Sequence, residues 1–173
     1  YPFDEDYDIY GEGNNVQSLS DLDKVSAVIV KARLSSEFIR KIYFECVLSE
    51  IEILEVYKGD LEVGGKINIF EPVNCTFKTT MISPHGYIPM QSNEEYLLFL
   101  MPLKNSLFGE ADYVYLPSTI TYSKYKFDNS EPRIFTQEAL EREVAQYSEI
   151  KHEELYLYDE KIHKLFVDIK NAA

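Results

Sequence analysis

The chain has little positive charge. It contains 17 lysines and arginines against 30 aspartates and glutamates, so the net charge is −13 with neutral histidines. A protein that binds nucleic acid or anionic lipid needs a basic surface to replace the counterions of the phosphates. No basic cluster here is longer than the isolated pair Lys124 and Lys126. The composition therefore argues against nucleic acid as a partner, and the acidity is typical of a well-solvated surface.

Cysteine and histidine are also scarce. Cys46 and Cys75 form neither a CxxC motif nor a Cys/His pattern, which argues against a metal site or a catalytic thiol. Cys46 falls in an apolar phase and is expected to be a buried thiol, although the sequence leaves a disulfide with Cys75 open. His85 stands alone in a proline-rich segment, and His152 lacks the second histidine of a zinc-protease helix. We therefore expect neither a metal nor a cofactor.

Long hydrophobic runs are missing as well. A membrane-spanning helix needs about 18 or more consecutive apolar residues, and no such run occurs. The length of 173 residues is typical of one domain. We expect three parts within it: an acidic N-terminal arm (1–19), a β-barrel (20–130), and a C-terminal helical segment packed on the barrel (131–173).

The stretch from Arg40 to Asp60 predicts one very long strand. Apolar residues alternate along it with period two. The phase changes after Leu48 at Ser49–Glu50 and changes back near Leu54 and Val56. Such shifts predict a bulge or a sharp twist, and a long strand of this kind is typical of a small closed barrel. The alternative is two shorter strands that join at Ser49–Glu50. Gly59 is expected to adopt a turn conformation that ends the run.

Other segments complete an interpretation as a mainly β (α+β) chain. Apolar or alternating runs predict further strands at 25–34, 67–69, 95–103 and 113–116, and a weaker one at 122–127. Helical spacing predicts a capped turn at 18–24, a helix from about 136 to 147, and a second helix over 155–169, for which a hairpin is the alternative. Residues 72–93 form a long irregular insertion, and loops of that length are usually functional or mobile.

The order of these signals is similar to a known group of domains. The segments that carry the likeness are Ser26–Val30, Val56–Asp60 with its Lys-Gly-Asp corner, Gly65–Ile69, and Gly86–Met90 running into Glu95–Leu100. Over about residues 20–127 the chain resembles uncharacterised extracytoplasmic domains, often lipoproteins, of Gram-positive bacteria. Their barrel is similar to that of tissue inhibitors of metalloproteinases.

The resemblance implies a small OB-like antiparallel β-barrel with one or two C-terminal amphipathic helices. It also implies an extracytoplasmic location, secreted or as a cell-surface lipoprotein whose lipid anchor would precede Tyr1. It implies no catalytic residues. Tissue inhibitors of metalloproteinases chelate the protease metal through an N-terminal cysteine, and this chain has Tyr1 and no cysteine before Cys46.

Four tyrosines are the candidate ligand face. They lie close together in two predicted strands, and tyrosine combines apolar area with a hydrogen-bonding tip: Tyr113, Tyr115, Tyr122 and Tyr125. The alternative is that they cover a barrel end or support the helix that follows.

The sequence favours a non-enzymatic binding or interaction module of the cell envelope, with an unidentified protein or glycan as partner. One alternative is an extracellular hydrolase that uses two carboxyl groups, which would have to flank a cleft. Another is a structural or sensor subdomain of an envelope assembly. It would dock through an exposed apolar stripe on the C-terminal helix, made of Leu155, Ile162, Phe166 and Ile169.

Overall fold

The computed structural model describes residues 16–43, 46–75, 81–82, 86–103, 114–133, 150–156 and 159–173. Within these residues the helices are α1 (Leu19–Val25) and α2 (Glu160–Ala172), and the strands are β1 (Val28–Leu34), β2 (Lys41–Tyr43), β3 (Cys46–Lys58), β4 (Lys66–Glu71), β5 (Asn74–Cys75), β6 (Met81–Ile82), β7 (Glu95–Pro102), β8 (Val114–Pro117) and β9 (Lys124–Lys126). The helix predicted over 136–147 lies outside the described residues.

Five of the strands close into a barrel. The hydrogen-bonded order is β1-β3-β4-β8-β7, and β7 returns to pair with β1. Every pairing around the ring is antiparallel except that of β4 with β8. Strand β2 extends the sheet beside β3, and β9 extends it beside β7. The prediction of a mainly β chain with a small OB-like barrel and a C-terminal helix is therefore confirmed.

The single long strand predicted from Arg40 to Asp60 is wrong at its start. Residues 41–43 form the separate strand β2, which pairs antiparallel with β3, so that Tyr43 lies opposite Cys46. The alternation that suggested one strand continues in the sequence from β2 into β3. Ile42, which was expected on the buried side, is 63% exposed. The alternative break at Ser49–Glu50 is also wrong, because β3 runs unbroken from Cys46 to Lys58.

The predicted phase shifts have two different causes. Around Ser49 the register between β3 and β4 is continuous, so no bulge exists there. Ser49 is a buried polar residue on the same face as Ile51. Farther along, the register with β1 skips one residue of β3 at Leu54 and another at Tyr57. The bulges predicted near Leu54 and Val56 are therefore confirmed, and Gly59 ends the strand with a φ of 102°.

Two apolar cores lie on opposite faces of the closing strands. Residues of β1 and β7 with even numbers, such as Val30 and Leu98, fill the barrel interior. Their neighbours with odd numbers, such as Ile29 and Phe99, belong to an outer core that α1 and α2 cover. Strand β7 is buried on both faces as a result, which explains why its sequence is nearly continuous in apolar residues.

Both helices have the caps that their sequences indicate. The hydroxyl of Ser18 accepts a hydrogen bond from the amide of Asp21 at the start of α1, which confirms the predicted capped turn. The carboxylate of Asp159 accepts from the amides of Lys161 and Ile162 at the start of α2. The segment 160–172 is a helix rather than a hairpin. Its buried face packs on the outer core through Ile162, Phe166 and Ile169 of the predicted apolar stripe. The predicted start of this helix at Leu155 is wrong, because Leu155 precedes the helix and pairs with Tyr87 in an isolated β-bridge.

A buried carboxylate fastens the insertion that follows β4 to the barrel. Glu71 is 0% exposed. One of its oxygens accepts hydrogen bonds from Arg40 at 2.8 Å and from Ser49 at 2.6 Å. The other accepts from the Tyr87 hydroxyl at 3.1 Å and from the Met90 amide at 2.8 Å. Because both oxygens are satisfied, burial of this charge is compatible with a stable fold.

We expect Glu71→Gln to lower the free energy of unfolding by about 2–4 kcal/mol. The side-chain nitrogen of the glutamine cannot accept hydrogen bonds. It would therefore leave without an acceptor the groups that now donate to one oxygen of Glu71. Urea denaturation measures the change, and Glu62→Gln is the matched control because Glu62 is exposed. A loss below about 1 kcal/mol would show that the insertion is held by other contacts.

Candidate functional site

A two-part cleft lies on the outer core beside the strands that close the barrel. Its apolar lobe has a volume of about 510 Å³ and is lined by Leu19, Ser20, Asp23, Ile29, Tyr57, Leu97, Phe99, Phe127 and Ala173. Its polar lobe has a volume of about 370 Å³ and is lined by Leu97, Tyr125, Lys126, Phe127, Asp128, Asn129, Ser130, Glu131, Lys170, Asn171 and Ala173. The two lobes share three residues, so they adjoin.

Two half-exposed aromatic side chains stand over the apolar lobe. Tyr57, the bulge residue of β3, is 52% exposed, and its hydroxyl donates to Glu55 at 2.9 Å. Phe127 is 49% exposed, and the ammonium of Lys31 lies 4.1 Å from the centre of its ring. This cation–π contact fixes the ring at the junction of the two lobes.

Both lysines of the polar lobe are already bonded within the protein. Lys170 donates to Asp128 at 3.2 Å, to the carbonyl of Ser130 at 2.6 Å and to Glu154 at 2.9 Å. Lys126 donates to Glu94 at 3.0 Å and to the carbonyl of His152. An ammonium has three donors, so Lys170 has none to spare.

The acidic groups of the polar lobe are less constrained. Among the described residues, the amide and hydroxyl of Ser130 and the ammonium of Lys170 all donate to the same oxygen of Asp128. Burial opposes ionisation of Asp128, but these bonds outweigh it and lower the pKa of its carboxyl group. Glu131 is exposed at the rim. Both groups are acceptors that a ligand can reach.

One tyrosine hydroxyl beside the polar lobe has no bonding partner. Tyr125 is 1% exposed, and its ring packs against Phe166 at 4.5 Å and against Phe99 at 6.0 Å. Its hydroxyl is buried and makes no hydrogen bond to any residue that the structure describes. Orphaned groups of this kind are uncommon in native proteins.

The three predicted tyrosines that the structure describes, Tyr115, Tyr122 and Tyr125, do not form one exposed face. Tyr115 lies in the barrel interior, and Tyr122 is half-buried at the outer core. Tyr125 alone among the described three lines the cleft, and Tyr113 lies outside the described residues. The cleft floor was missed because Ile29, Leu97 and Phe99 have the pattern of ordinary core residues.

Cys46 is a buried thiol, as expected. The side chain of Cys75 lies outside the described part, as does His85. Among the described residues, no cluster of histidine, cysteine or carboxylate side chains could hold a metal ion, and no helix is long and apolar enough to cross a membrane. A scan against models of protein families and a search of curated proteins both found no match.

Lys124 is a buried charge behind the polar lobe. It is 3% exposed, and its ammonium lies 4.8 Å and 5.2 Å from the ring centres of Tyr87 and Tyr96. It donates one hydrogen bond of 3.3 Å to the carbonyl of Glu154. Burial lowers the pKa of Lys124 to about 8, although the carboxylates of Glu71 and Glu154 oppose the shift.

We expect Lys124 to make stability depend on pH. Between pH 8 and the ordinary pKa of 10.5, the unfolded chain keeps the proton on Lys124 while the folded protein releases it. Stability therefore rises with pH in that window. The free energy of unfolding should increase by roughly 1–2 kcal/mol from about pH 7.5 to about pH 9.5.

Urea denaturation across that range measures the effect, and Lys124→Met should remove it. The exposed Lys161→Met variant is the control and should keep the wild-type slope. The pH range ends below the pH at which tyrosines ionise in the unfolded chain. Above that pH, buried tyrosines such as Tyr87, whose pKa is raised in the folded protein, make stability fall. If the free energy of unfolding changes equally with pH in wild type and in Lys124→Met, the effect does not come from Lys124.

Proposed function

We propose that this chain is a non-enzymatic binding module that takes the apolar part of a ligand into the apolar lobe. The observation that carries the proposal is the lobe itself. Its volume of about 510 Å³ falls within the range of about 300–1,000 Å³ that is typical of ligand pockets. Its floor is formed by rigid strand residues, so the site is largely preformed.

The lining favours an apolar ligand group over a glycan. Leu19, Ile29 and Phe99 offer no hydrogen bonds to sugar hydroxyls, and burial of unpaired hydroxyls is costly. Tyr57 and Phe127 at the rim add aromatic surface to the contact. The partners predicted from the sequence were a protein or a glycan. An apolar side chain of a protein, or an apolar or amphiphilic compound, therefore fits this lobe better than the glycan.

The polar groups of the cleft support binding rather than hydrolysis. A hydrolase with two carboxyl groups needs one whose pKa is raised, so that it can donate a proton. Asp128 has a lowered pKa. Burial raises the pKa of Glu154, but this side chain is bonded to Lys170 and to the amide of Lys126 and does not line either lobe.

The alternative of a docking subdomain has less support. It depended on an exposed apolar stripe on the C-terminal helix. Phe166 and Ile169 of α2 and Leu155, which precedes the helix, are buried in the outer core, so they are not offered to a partner.

We further propose that the module works outside the cytoplasm, in a Gram-positive cell envelope, and that it belongs with the barrels similar to tissue inhibitors of metalloproteinases. The resemblance of the strand and corner motifs supports this part. The coding sequence upstream of Tyr1 tests it: a signal peptide that ends in a lipidated cysteine is expected. A cytoplasmic domain fused directly upstream would overturn the location.

The neutral dye Nile red tests the binding site. We expect its fluorescence to increase and shift to the blue with the native protein. Ser20→Trp should weaken binding about tenfold, because Ser20 is an exposed residue of α1 that lines the apolar lobe. Ser36→Trp is the matched control, since this exposed serine lines neither lobe.

Two outcomes would contradict the proposal. If wild type does not bind the dye, the module does not have an apolar binding site. If Ser20→Trp and Ser36→Trp bind as wild type does, the dye sits elsewhere. Far-ultraviolet circular dichroism of both variants verifies that the fold is kept.

A further inference from the structure

We infer that the apolar lobe selects a small compound with a planar aromatic ring system. The inference rests on the proposed function, because it assumes that the lobe binds the apolar part of a ligand, and it adds the class of that ligand. Its basis is a set of contacts through which one lysine holds both aromatic side chains at the rim of the lobe.

Lys31 is the residue that joins the two rim aromatics. It follows Ile29 on the outward-facing side of β1 and lies outside the lining of the lobe. Its ammonium lies 4.1 Å from the ring centre of Phe127 and 3.7 Å from the carboxylate of Glu55. The same carboxylate accepts the hydrogen bond of 2.9 Å from the Tyr57 hydroxyl. The positions of both rings therefore depend on one ammonium.

A second pair of contacts fixes the ring of Phe127. Lys31 also pairs with Glu95 at 2.8 Å, and its side chain is only 15% exposed. The amide of Phe127 donates a hydrogen bond of 2.8 Å to the carbonyl of Glu95. The ring and the lysine beside it are therefore anchored to the same residue of β7. An aromatic surface that is already ordered loses less conformational entropy on binding than a mobile one does.

The ring of Phe127 keeps one face for a ligand. Lys31 covers the other face, yet the residue is 49% exposed, so the exposed area of the ring comes from the uncovered face and the edge. Tyr57 lines the same lobe, and Phe99 adds a third ring. Aromatic pairs in offset-stacked or edge-to-face contact gain free energy beyond the burial of area. A planar aromatic ligand can make such contacts, whereas a saturated one cannot.

The strands under the lobe favour a small compound over a peptide segment. Strand β1 pairs with β3 on one side and with β7 on the other. Strand β7 pairs with β1 on one side and with β8 and β9 on the other. Neither of these two strands therefore has a free edge at the lobe to which a peptide backbone could add.

The test compares 2-naphthol with decahydro-2-naphthol at pH 7. Both are neutral and share the same fused-ring skeleton and hydroxyl group, but only 2-naphthol is planar and aromatic. Isothermal titration calorimetry and displacement of Nile red measure their affinities for the full chain. We expect 2-naphthol to bind about three- to tenfold more tightly. Burial of apolar area alone predicts no such preference, because the saturated compound has at least as much apolar surface.

Phe127→Leu locates the preference at the rim. Leucine keeps an apolar side chain but has no ring, so 2-naphthol should bind about threefold more weakly, and decahydro-2-naphthol should bind about as it does to wild type. Phe38→Leu is the matched control. Phe38 also has a lysine beside its ring, with the ammonium of Lys41 at 5.7 Å from the ring centre, and it lines neither lobe. This variant should leave both affinities as they are.

Lys31→Met tests the positioning role of the ammonium. Methionine is similar in length but has no charge, so the preference for 2-naphthol should fall to about twofold or less. Lys31→Arg should keep the preference, because a guanidinium can stack on the ring of Phe127 and pair with Glu95. Lys41→Met is the control and should behave as wild type. A lysine that served stability alone would change the affinities for the two compounds by the same factor.

N-acetyltryptophanamide distinguishes a small compound from a side chain of a partner protein. It is neutral and carries an aromatic ring system on a peptide backbone. It should bind more weakly than 2-naphthol, because the strands at the lobe have no free edge for its amide groups. Equal or tighter binding would overturn the assignment to a small compound.

The remaining outcomes separate the inference from the proposed function. Equal or tighter binding of decahydro-2-naphthol, with Nile red still bound, overturns the aromatic inference and leaves the binding module intact. Equal effects of Phe127→Leu and Phe38→Leu overturn the assignment to the rim, and an unchanged preference in Lys31→Met overturns the role of Lys31. If Nile red binds but neither naphthol compound does, the inference alone fails. If none of the three binds, both proposals fail.

Discussion

The pairing of β1 with β7 is the constraint from which the rest of the structure follows. It runs from Val28 opposite Leu100 to Arg33 opposite Glu95 and turns an open sheet into a closed ring. Closure directs alternate side chains of both strands inward, where they fill the barrel. The side chains between them are then directed outward, and three of these, Ile29, Leu97 and Phe99, are apolar too. These outward-facing apolar side chains are buried only in part by α1 and α2. The uncovered remainder is the floor of the apolar lobe, so the cleft is a consequence of how the barrel closes.

Buried charges tie segments to this barrel that are distant in sequence. Glu71, at the end of β4, binds the segment around Tyr87. Glu154 binds β9 on one side and Lys170 of α2 on the other. Burial of ions contributes little net stability even when they are well paired, but a wrong arrangement is heavily penalised. We infer that these contacts determine where the loops lie. The two apolar cores provide most of the stability.

Local chemistry made much of the fold predictable. The caps of α1, the turn at Gly59, the strands β1, β4, β7 and β8, and the bulges near Leu54 and Val56 follow from residues adjacent in sequence. The division of this stretch into β2 and β3 was missed because the alternation continues from Tyr43 to Cys46 without a glycine or proline between them. Ser49 was taken for a break because its partner Glu71 is far along the chain, and one sequence cannot reveal that pair.

The cleft could be predicted less well than the fold. Its floor has the same sequence pattern as a buried core, and whether a core residue is covered depends on where distant helices pack. The tyrosine cluster did include one residue of the cleft, Tyr125. Proximity in sequence grouped it with Tyr115, yet the two side chains lie in different cores. Tyr115 lies opposite Pro102 in the inward-facing phase of β7, whereas Tyr125 lies opposite Leu97 in the outward-facing phase.

The bulge at Tyr57 has an evolutionary consequence. It is the extra residue between two paired positions of β3, and it is also a wall of the apolar lobe. Deletion of this one codon would leave the residues paired with Ile29 and Val30 adjacent in β3, so that this bulge would disappear while that at Leu54 stayed, and the lobe would lose one wall residue. A single insertion or deletion can therefore change the shape of the lobe in a barrel of this design, and descent from a common ancestor need not preserve the ligand.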